Sequence, residues 1–371
     1  MTSYGAVQAA DTVSALKPNL LASKAMHTGI TEFCLIKNFG FKDLIDKENR
    51  KGTKNVTDGG IVNYYDEFKT SMNAGIKGKG DKVTVRYRPL MEEEPTEGDN
   101  FDSEANAKSW TYDTFDFSIM LGTLGQLSPG LMEKQRTAAN VDDDITLSLK
   151  ENTQDWLAKE CMRKLAGVTT YDFGNTPTVP SSYRHQFAGT ATSSGTMNES
   201  DVATIRDLDK LLAVAYYKGT GLPTVQPLRR SDGIDFLYIC HPWVADNMFQ
   251  SAKSILKDSD VRGEHNKLFT GDFQYQFTYR KIAVVVSSHL PVYTNYGALG
   301  NVEAGRSVFL GRNALAFGSA LDAELVTETK NAATRIIKTM KFICGMQKIK
   351  PATLDVDLGV IAHDSAAESL I

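Results

Sequence analysis

Long apolar runs are absent from this sequence of 371 residues. No segment reaches the roughly 18 consecutive apolar residues that a membrane-spanning helix needs. The N-terminus has no basic segment followed by an apolar core, so no secretory signal is predicted. Neither sign of charge is in large excess, because the net charge is -4 and the pI is about 5.9. This balance argues against a protein that grips nucleic acid along a whole face.

Cysteine and histidine are both scarce, with four cysteines and six histidines. No two cysteines lie at metal-ligand spacing, and the histidines show neither HExxH nor HxH spacing. Cys161 and Cys240 fall within apolar patterns, so we interpret them as core thiols. The absence of a disulfide framework is typical of a chain made in a reducing cytoplasm.

Motifs of catalysis and phosphate binding are also missing. The sequence has no G-x-S-x-G elbow. The glycine- and lysine-rich segment 75–80 precedes a predicted strand instead of opening a helix, so a hinge is favoured over a phosphate loop. His241, followed by Pro242 and Trp243, is interpreted as a structural histidine at a strand end. We therefore predict no catalytic, cofactor-binding or metal site.

The most informative pattern that is present spans residues 78–167. A basic strand at 81–88 and an acidic strand at 111–119 both alternate apolar and polar residues, and a long acidic loop separates them. Opposite charges on the two strands favour an antiparallel hairpin. Such a two-stranded arm is marginally stable alone, so we expect a partner to cover it.

A helix of about seven turns is predicted next, from Asp142 to Ala166, with a length on the order of 37 Å. Asn140 is a plausible N-cap, and Gly167 ends the helix. Acidic residues occupy the first turn and basic residues the last, as the helix dipole favours. The apolar stripe consists of Ile145, Leu149, Trp156, Leu157, Cys161 and Leu165.

The remainder of the chain alternates helices and strands. We predict a loop at 168–199, helices at 201–217 and 313–320, buried strands at 234–240 and 282–286, and a hairpin of 323–329 with 335–349. One face of that hairpin is predicted to carry Ile336, Met340, Phe342, Cys344 and Met346.

Six short sequence motifs follow one another in a characteristic order along residues 20–365. They are GKGDKVT at 78–84, EKQRTA at 133–138, WLA at 156–158, HPW at 241–243, LFTG at 268–271 and GRNA at 311–314. With the hairpin and long helix, this order resembles the podovirus N-four-like major capsid family of tailed double-stranded DNA bacteriophages. That family has the Hong Kong 97-type fold.

The resemblance implies an α+β chain with five parts. These are an N-terminal arm (1–77), an extended hairpin loop (78–130), a long spine helix with part of the peripheral domain (131–200), an axial domain (201–320), and a peripheral-domain hairpin with the C-terminal strand (321–371). It implies a non-enzymatic major capsid protein that assembles as hexamers and pentamers into an icosahedral shell around the phage genome.

The resemblance also implies partners and a location. Besides further copies of itself, the chain would meet a scaffolding protein, a portal protein at one vertex, in some shells a decoration protein, and packaged double-stranded DNA without sequence-specific contacts. Assembly in the host bacterial cytoplasm and residence in the virion are expected, with no membrane contact. No long coiled coil precedes the hairpin, so a separate scaffolding protein is expected.

Contacts between subunits are the expected functional sites. The acidic loop, with Glu92, Glu93, Glu94 and Glu97, is predicted to meet a basic surface on a neighbour, although a merely solvated loop is the alternative. A calcium site is disfavoured because the D-x-[DN]-x-[DN]-G order is missing. The basic candidates are Arg86, Arg88, Arg229, Arg230, Lys338 and Lys341, with Lys348 and Lys350 also considered.

Two other functions remain open at this stage. An encapsulin-like compartment would share the fold but enclose enzyme cargo. A cytoplasmic enzyme with few motifs would instead be a discrete monomer or dimer with a deep polar pocket.

Overall fold

A computed structural model describes residues 45–46, 61–65, 82–87, 112–130, 141–168, 173–217, 222–228, 234–253, 274–330 and 335–367. The described strands are β1 (Ile45–Asp46), β2 (Val62–Tyr65), β3 (Lys82–Tyr87), β4 (Asp113–Ser118), β5 (Met120–Leu127), β6 (His185–Phe187), β7 (Phe236–Cys240), β8 (Gln274–Tyr279), β9 (Ile282–Val286), β10 (Val292–Tyr296), β11 (Val302–Leu310), β12 (Leu315–Lys330), β13 (Arg335–Lys348) and β14 (Val360–Ala366). The described α-helices are α1 (Val141–Ala166), α2 (Ile205–Tyr216) and α3 (Pro242–Lys253).

The long helix is confirmed and spans 26 residues. Asp142, Asp143 and Asp144 occupy its first turn, and Arg163 and Lys164 its last. Gly167 ends the helix with a φ of 69°, a left-handed conformation that costs glycine little. The next amide, that of Val168, donates to the carbonyl of Arg163 at 3.0 Å, which satisfies one of the last-turn acceptors.

This helix packs on a five-stranded sheet of order β1-β2-β12-β13-β5. The β12–β13 hairpin is antiparallel and pairs from Leu315 with Lys348 out to Lys330 with Arg335. The predicted apolar face of β13 is confirmed, because four of its five residues are buried in the core beneath α1 and Ile336 is half-buried. The four are Met340, Phe342, Cys344 and Met346.

The second sheet has seven strands, in the order β6-β14-β11-β7-β9-β8, with β10 beside β11. The predicted buried strands β7 and β9 pair in parallel at its centre, and every residue of both is buried. Helices α2 and α3 cover one face through Leu208, Leu211, Val244 and Met248. Parallel central strands are buried on both faces, so their sequences are continuous apolar runs. This pattern allowed β7 and β9 to be predicted from the sequence.

The helix predicted at 313–320 is wrong, because β12 begins at Leu315. The amides of Ala314 and Leu315 both donate to the carbonyl of Ile61 at 3.0 Å, and β12 continues between β2 and β13. Its small apolar residues suit a helix locally, but central position in a sheet outweighs that propensity. The predicted helix at 201–217 is shorter at its start, and begins at Ile205.

Strand β5 was not predicted at all. Its sequence, MLGTLGQL, contains two glycines and no clean alternation, so pattern reading missed it. It lies in the segment expected to be hairpin loop (78–130), yet it pairs with β13 of the C-terminal segment (321–371). The domain boundaries themselves remain predictions.

Candidate assembly surfaces

The base of the predicted arm is the two-stranded β3–β4 sheet. It is antiparallel, and Val85 pairs with Phe115. Lys82 and Asp116, diagonal neighbours across the ribbon, form an ion pair of 2.6 Å, which agrees with the opposite charges in the sequence. The hydrogen bond from Lys82 lowers the pKa of Asp116.

The arm was expected to need a partner, but its described part is covered by the same chain. Val85, Phe115 and Phe117 are buried in a cluster with Ile349 and Leu358. The pleat explains this, because the apolar residues of both strands share one face and that face lies on the β12–β13 end of the larger sheet. Any neighbour must therefore contact other surfaces of the arm.

Asp113 anchors the start of β4 to the loop after β13. Its carboxylate accepts hydrogen bonds from the amides of Thr353 at 3.0 Å, Leu354 at 3.0 Å and Thr114 at 2.8 Å. Burial opposes ionisation, but these bonds outweigh it and lower the pKa of Asp113. An ionised carboxylate thus holds the start of β4 against the loop after β13.

Most of the predicted contact residues lie outside the described residues. Arg86 lies in β3. The predicted residues beyond the description are Arg88, Glu92, Glu93, Glu94, Glu97, Arg229 and Arg230. Their part in contacts between subunits stays a prediction.

The two described lysine candidates, Lys338 and Lys341, lie on opposite faces of β13. Lys338 faces α1, where its ammonium donates to the carbonyl of Asp142 and to the hydroxyl of Thr146 at 2.9 Å. Its charge is therefore used within the subunit, at the start of the helix. Lys341 faces away from α1 and pairs in register with Glu324 of β12 and Thr123 of β5. Of this pair, only Lys341 lies on the face of the sheet away from α1.

The other lysines considered are engaged locally. Lys348 is fully buried and contacts Asp357 at 3.0 Å, and burial lowers the pKa of its ammonium. Lys350 contacts Asp355 at 2.7 Å. Lys348 thus forms a structural ion pair with Asp357 and has no surface available to a neighbouring subunit.

A buried polar cluster at the C-terminal end of α1 was missed by sequence reasoning. Arg306 of β11 donates to both carboxylate oxygens of Asp364 of β14, at 2.7 and 2.8 Å. The same guanidinium donates to the carbonyl of Ala166, the last residue of α1, at 3.1 Å. His185 and the hydroxyl of Tyr296 also contact Asp364, each at 2.8 Å.

This cluster joins the long helix to the seven-stranded sheet. Burial disfavours the charged form of Asp364, but the bonds from Arg306 and His185 outweigh it and hold the pKa well below its usual range. Asp364 likewise raises the pKa of Arg306 against the opposing effect of burial. Single charged residues within apolar strands gave no spacing signal, because their partners lie on elements far apart in sequence.

The described cysteines lie in the core of the subunit. Cys161, Cys240 and Cys344 are all buried, so the interpretation of the first two as core residues is confirmed. Burial raises the pKa of Cys240 and Cys344, so their sulfurs stay protonated and unreactive. Within the described ranges, no group of three or more His, Cys, Asp or Glu residues is arranged to hold a metal ion. No described helix is long and apolar enough to cross a membrane.

The described fold combines a long helix on a hairpin sheet, the two-stranded β3–β4 sheet packed against that sheet, and a second sheet with its own helices. The Ralstonia phage GP4 capsid superposes with a TM-score of 0.71 at 18% identity, over 87% of this chain and 91% of that one. The cyanophage Pam1 capsid gives 0.65 at 14% identity, over 90% and 93%. The head of Helicobacter pylori bacteriophage KHP40 gives 0.58 at 12% identity, over 88% and 90%.

The chain therefore has the Hong Kong 97-type capsid fold, as the sequence predicted. No protein-family model matches the sequence, and a search of curated proteins gives no match. At these identities the likeness is one of fold, carried by structure and not by sequence.

Proposed function

We propose that the chain is the major capsid protein of a tailed bacteriophage, a non-enzymatic subunit that assembles as hexamers and pentamers into an icosahedral shell around double-stranded DNA. The observation that carries the proposal is the shared fold, which extends over about nine tenths of this chain and of each phage capsid compared. Closed shells from one chain require complementary edges, and the arm that leaves from β3 and β4 is the candidate for one of them.

The proposed partners follow from this function. Copies of the same chain form the shell, a scaffolding protein acts during assembly, and a portal protein occupies one vertex. The packaged DNA completes the set, and some shells of this fold also carry a decoration protein. The net charge of -4 suits a shell that does not bind its DNA along a whole surface. We place assembly in the host cytoplasm and the mature protein in the virion.

The acidic loop is proposed to contact a basic surface on a neighbouring subunit. Lys341 supports this, because its half-buried side chain lies on the face of the sheet away from α1. Lys338 is less suited, since its ammonium already binds the first turns of α1. Each such ion pair is worth at most about 1 kcal/mol and is screened by salt, but a shell repeats it many times.

Electron microscopy of the expressed full-length chain, alone and with its scaffolding protein, tests the main proposal. Closed shells or capsomer rings are expected. A strictly monomeric chain at high concentration under both conditions would contradict it, and shells that co-purify with enzyme cargo would instead support a compartment.

A triple substitution tests the loop contact separately. Replacing Glu92, Glu93 and Glu94 together with Gln should leave the thermal midpoint of the free subunit unchanged. Particle yield and the salt dependence of particle stability should change. Superimposable sedimentation of wild-type and variant particles over a salt series would show that the loop only solubilises the surface.

A further inference from the structure

Strand β5 is an exposed edge of the five-stranded sheet. In the described part of the chain, its one strand neighbour is β13. The strand is eight residues long and carries no charge and no proline, although Pro129 follows shortly after it. Natural proteins usually protect such an edge with lysine, proline or a bulge, because its free backbone groups pair readily with another chain. None of these devices is present within β5, and its pairing with β13 has no irregularity.

The hydrogen-bond register shows which backbone groups are free. The amide of Ser128 donates to the carbonyl of Ile336 at 2.7 Å, so this opposed pair is a hydrogen-bonded one. Hydrogen-bonded and non-hydrogen-bonded pairs alternate along an antiparallel ladder. The even-numbered residues of β5 therefore form the hydrogen bonds with β13. The amides and carbonyls that point to the free edge belong to Leu121, Thr123, Gly125 and Leu127.

The same four residues present their side chains on the sheet face away from α1. Leu121 and Leu127 are 58% and 53% exposed, which is unusual for leucines in a strand. Read from either end, the row is large and apolar, small, small, large and apolar. Such a row is complementary to itself in the antiparallel direction. The absence of charge matters too, because no residue of this row can meet a like charge across the pairing.

We propose that β5 pairs with β5 of a second copy of this chain, antiparallel and across a two-fold axis at Leu124. This register pairs all seven residues from 121 to 127. It sets Leu121 opposite Leu127 of the second copy, and Thr123 opposite Gly125 of the second copy. The two five-stranded sheets then form one continuous ten-stranded sheet. This pairing does not depend on the shell proposal.

Disulfide trapping tests the register directly in the full-length chain. Residues opposed in an antiparallel pair have Cα atoms about 5.5 Å apart, within the span of a disulfide. The Thr123→Cys/Gly125→Cys variant should give a covalent dimer on oxidation, seen on a non-reducing gel. Thr327→Cys/Thr329→Cys, an exposed pair at the same spacing on β12, is the matched control and should not. No dimer from a folded Thr123→Cys/Gly125→Cys variant would overturn the proposal.

Charge rescue tests whether the strand meets its own copy. Leu121→Lys and Leu127→Glu should each weaken self-association by roughly tenfold, because symmetry introduces each change twice. The double variant should recover it, since each new lysine faces a new glutamate across the axis. The two positions lie about 20 Å apart within one strand, so they cannot pair in the same chain.

Sedimentation equilibrium of the full-length variants provides the readout, with Leu299→Lys as an equally apolar but distant control. Rescue by the double variant supports the proposal. Weakening by both single variants without rescue would mean that another segment occupies the edge, and unchanged association in all variants would mean that nothing does. Either result overturns self-pairing.

Discussion

Removing the guanidinium of Arg306 should strongly destabilise the subunit, because its partner cannot return to water. The side chain of Asp364 is 0% exposed and that of Arg306 is 9% exposed. In an Arg306→Met variant the carboxylate keeps only His185 and Tyr296, and the carbonyl of Ala166 loses a donor. Breaking a buried pair in this way typically costs about 3–5 kcal/mol. Urea denaturation of the free subunit at pH 7 measures the loss.

A double-mutant cycle distinguishes loss of the Arg306–Asp364 interaction from nonspecific destabilisation of the subunit. Asp364→Asn alone should also destabilise, and the combination with Arg306→Met should cost clearly less than the sum of the two single changes, by about 2 kcal/mol or more. If the two effects add within about 0.5 kcal/mol, the cluster is not the coupled unit described above.

The pH dependence of this variant follows from the lowered pKa of Asp364. A carboxyl whose folded pKa is depressed contributes stability that is fully present above its unfolded pKa of about 4 and is lost as pH falls towards the folded value. The stability difference between wild type and Arg306→Met should therefore narrow as pH falls below about 4. A difference that stays constant from pH 7 to pH 3 would contradict the assignment.

Three further predictions concern packing and charge. Trp156→Ala should cost about 2–4 kcal/mol, less than for a fully buried ring, because the indole is half-buried between two aromatic rings at 4.9 and 5.2 Å; urea denaturation equal to wild type would contradict this packing role. Gly345→Ala should prevent soluble folding, because an added Cβ would clash with the backbone carbonyl of Ser118. Gly195→Ala should express normally, because nothing lies within 4 Å of an added Cβ there. Lys338→Gln should lower the thermal midpoint of the free subunit, and Lys341→Gln should leave it unchanged while shifting particle stability in salt; equal effects on the midpoint would argue against their opposite placement.

The sequence alone determined the elements whose signals are local. The 26-residue helix α1 carried its charges, its apolar stripe and its terminating glycine within one continuous segment. Short-range hydrophobic patterns likewise predicted the buried strands β7 and β9 and the apolar face of β13. Together with the order of the motifs, these elements were enough to predict the fold.

Only the tertiary structure decided what depended on distant partners. The segment at 315–320 became a strand because β2 and β13 flank it, although its small apolar residues suit a helix. Strand β5 has a weak local pattern and exists through its pairing with β13. The Arg306–Asp364 cluster joins positions 58 residues apart, and the opposite faces of Lys338 and Lys341 follow from one strand's register. Local propensity cannot encode these choices, since their free energy comes from contacts that form only when the sheets assemble.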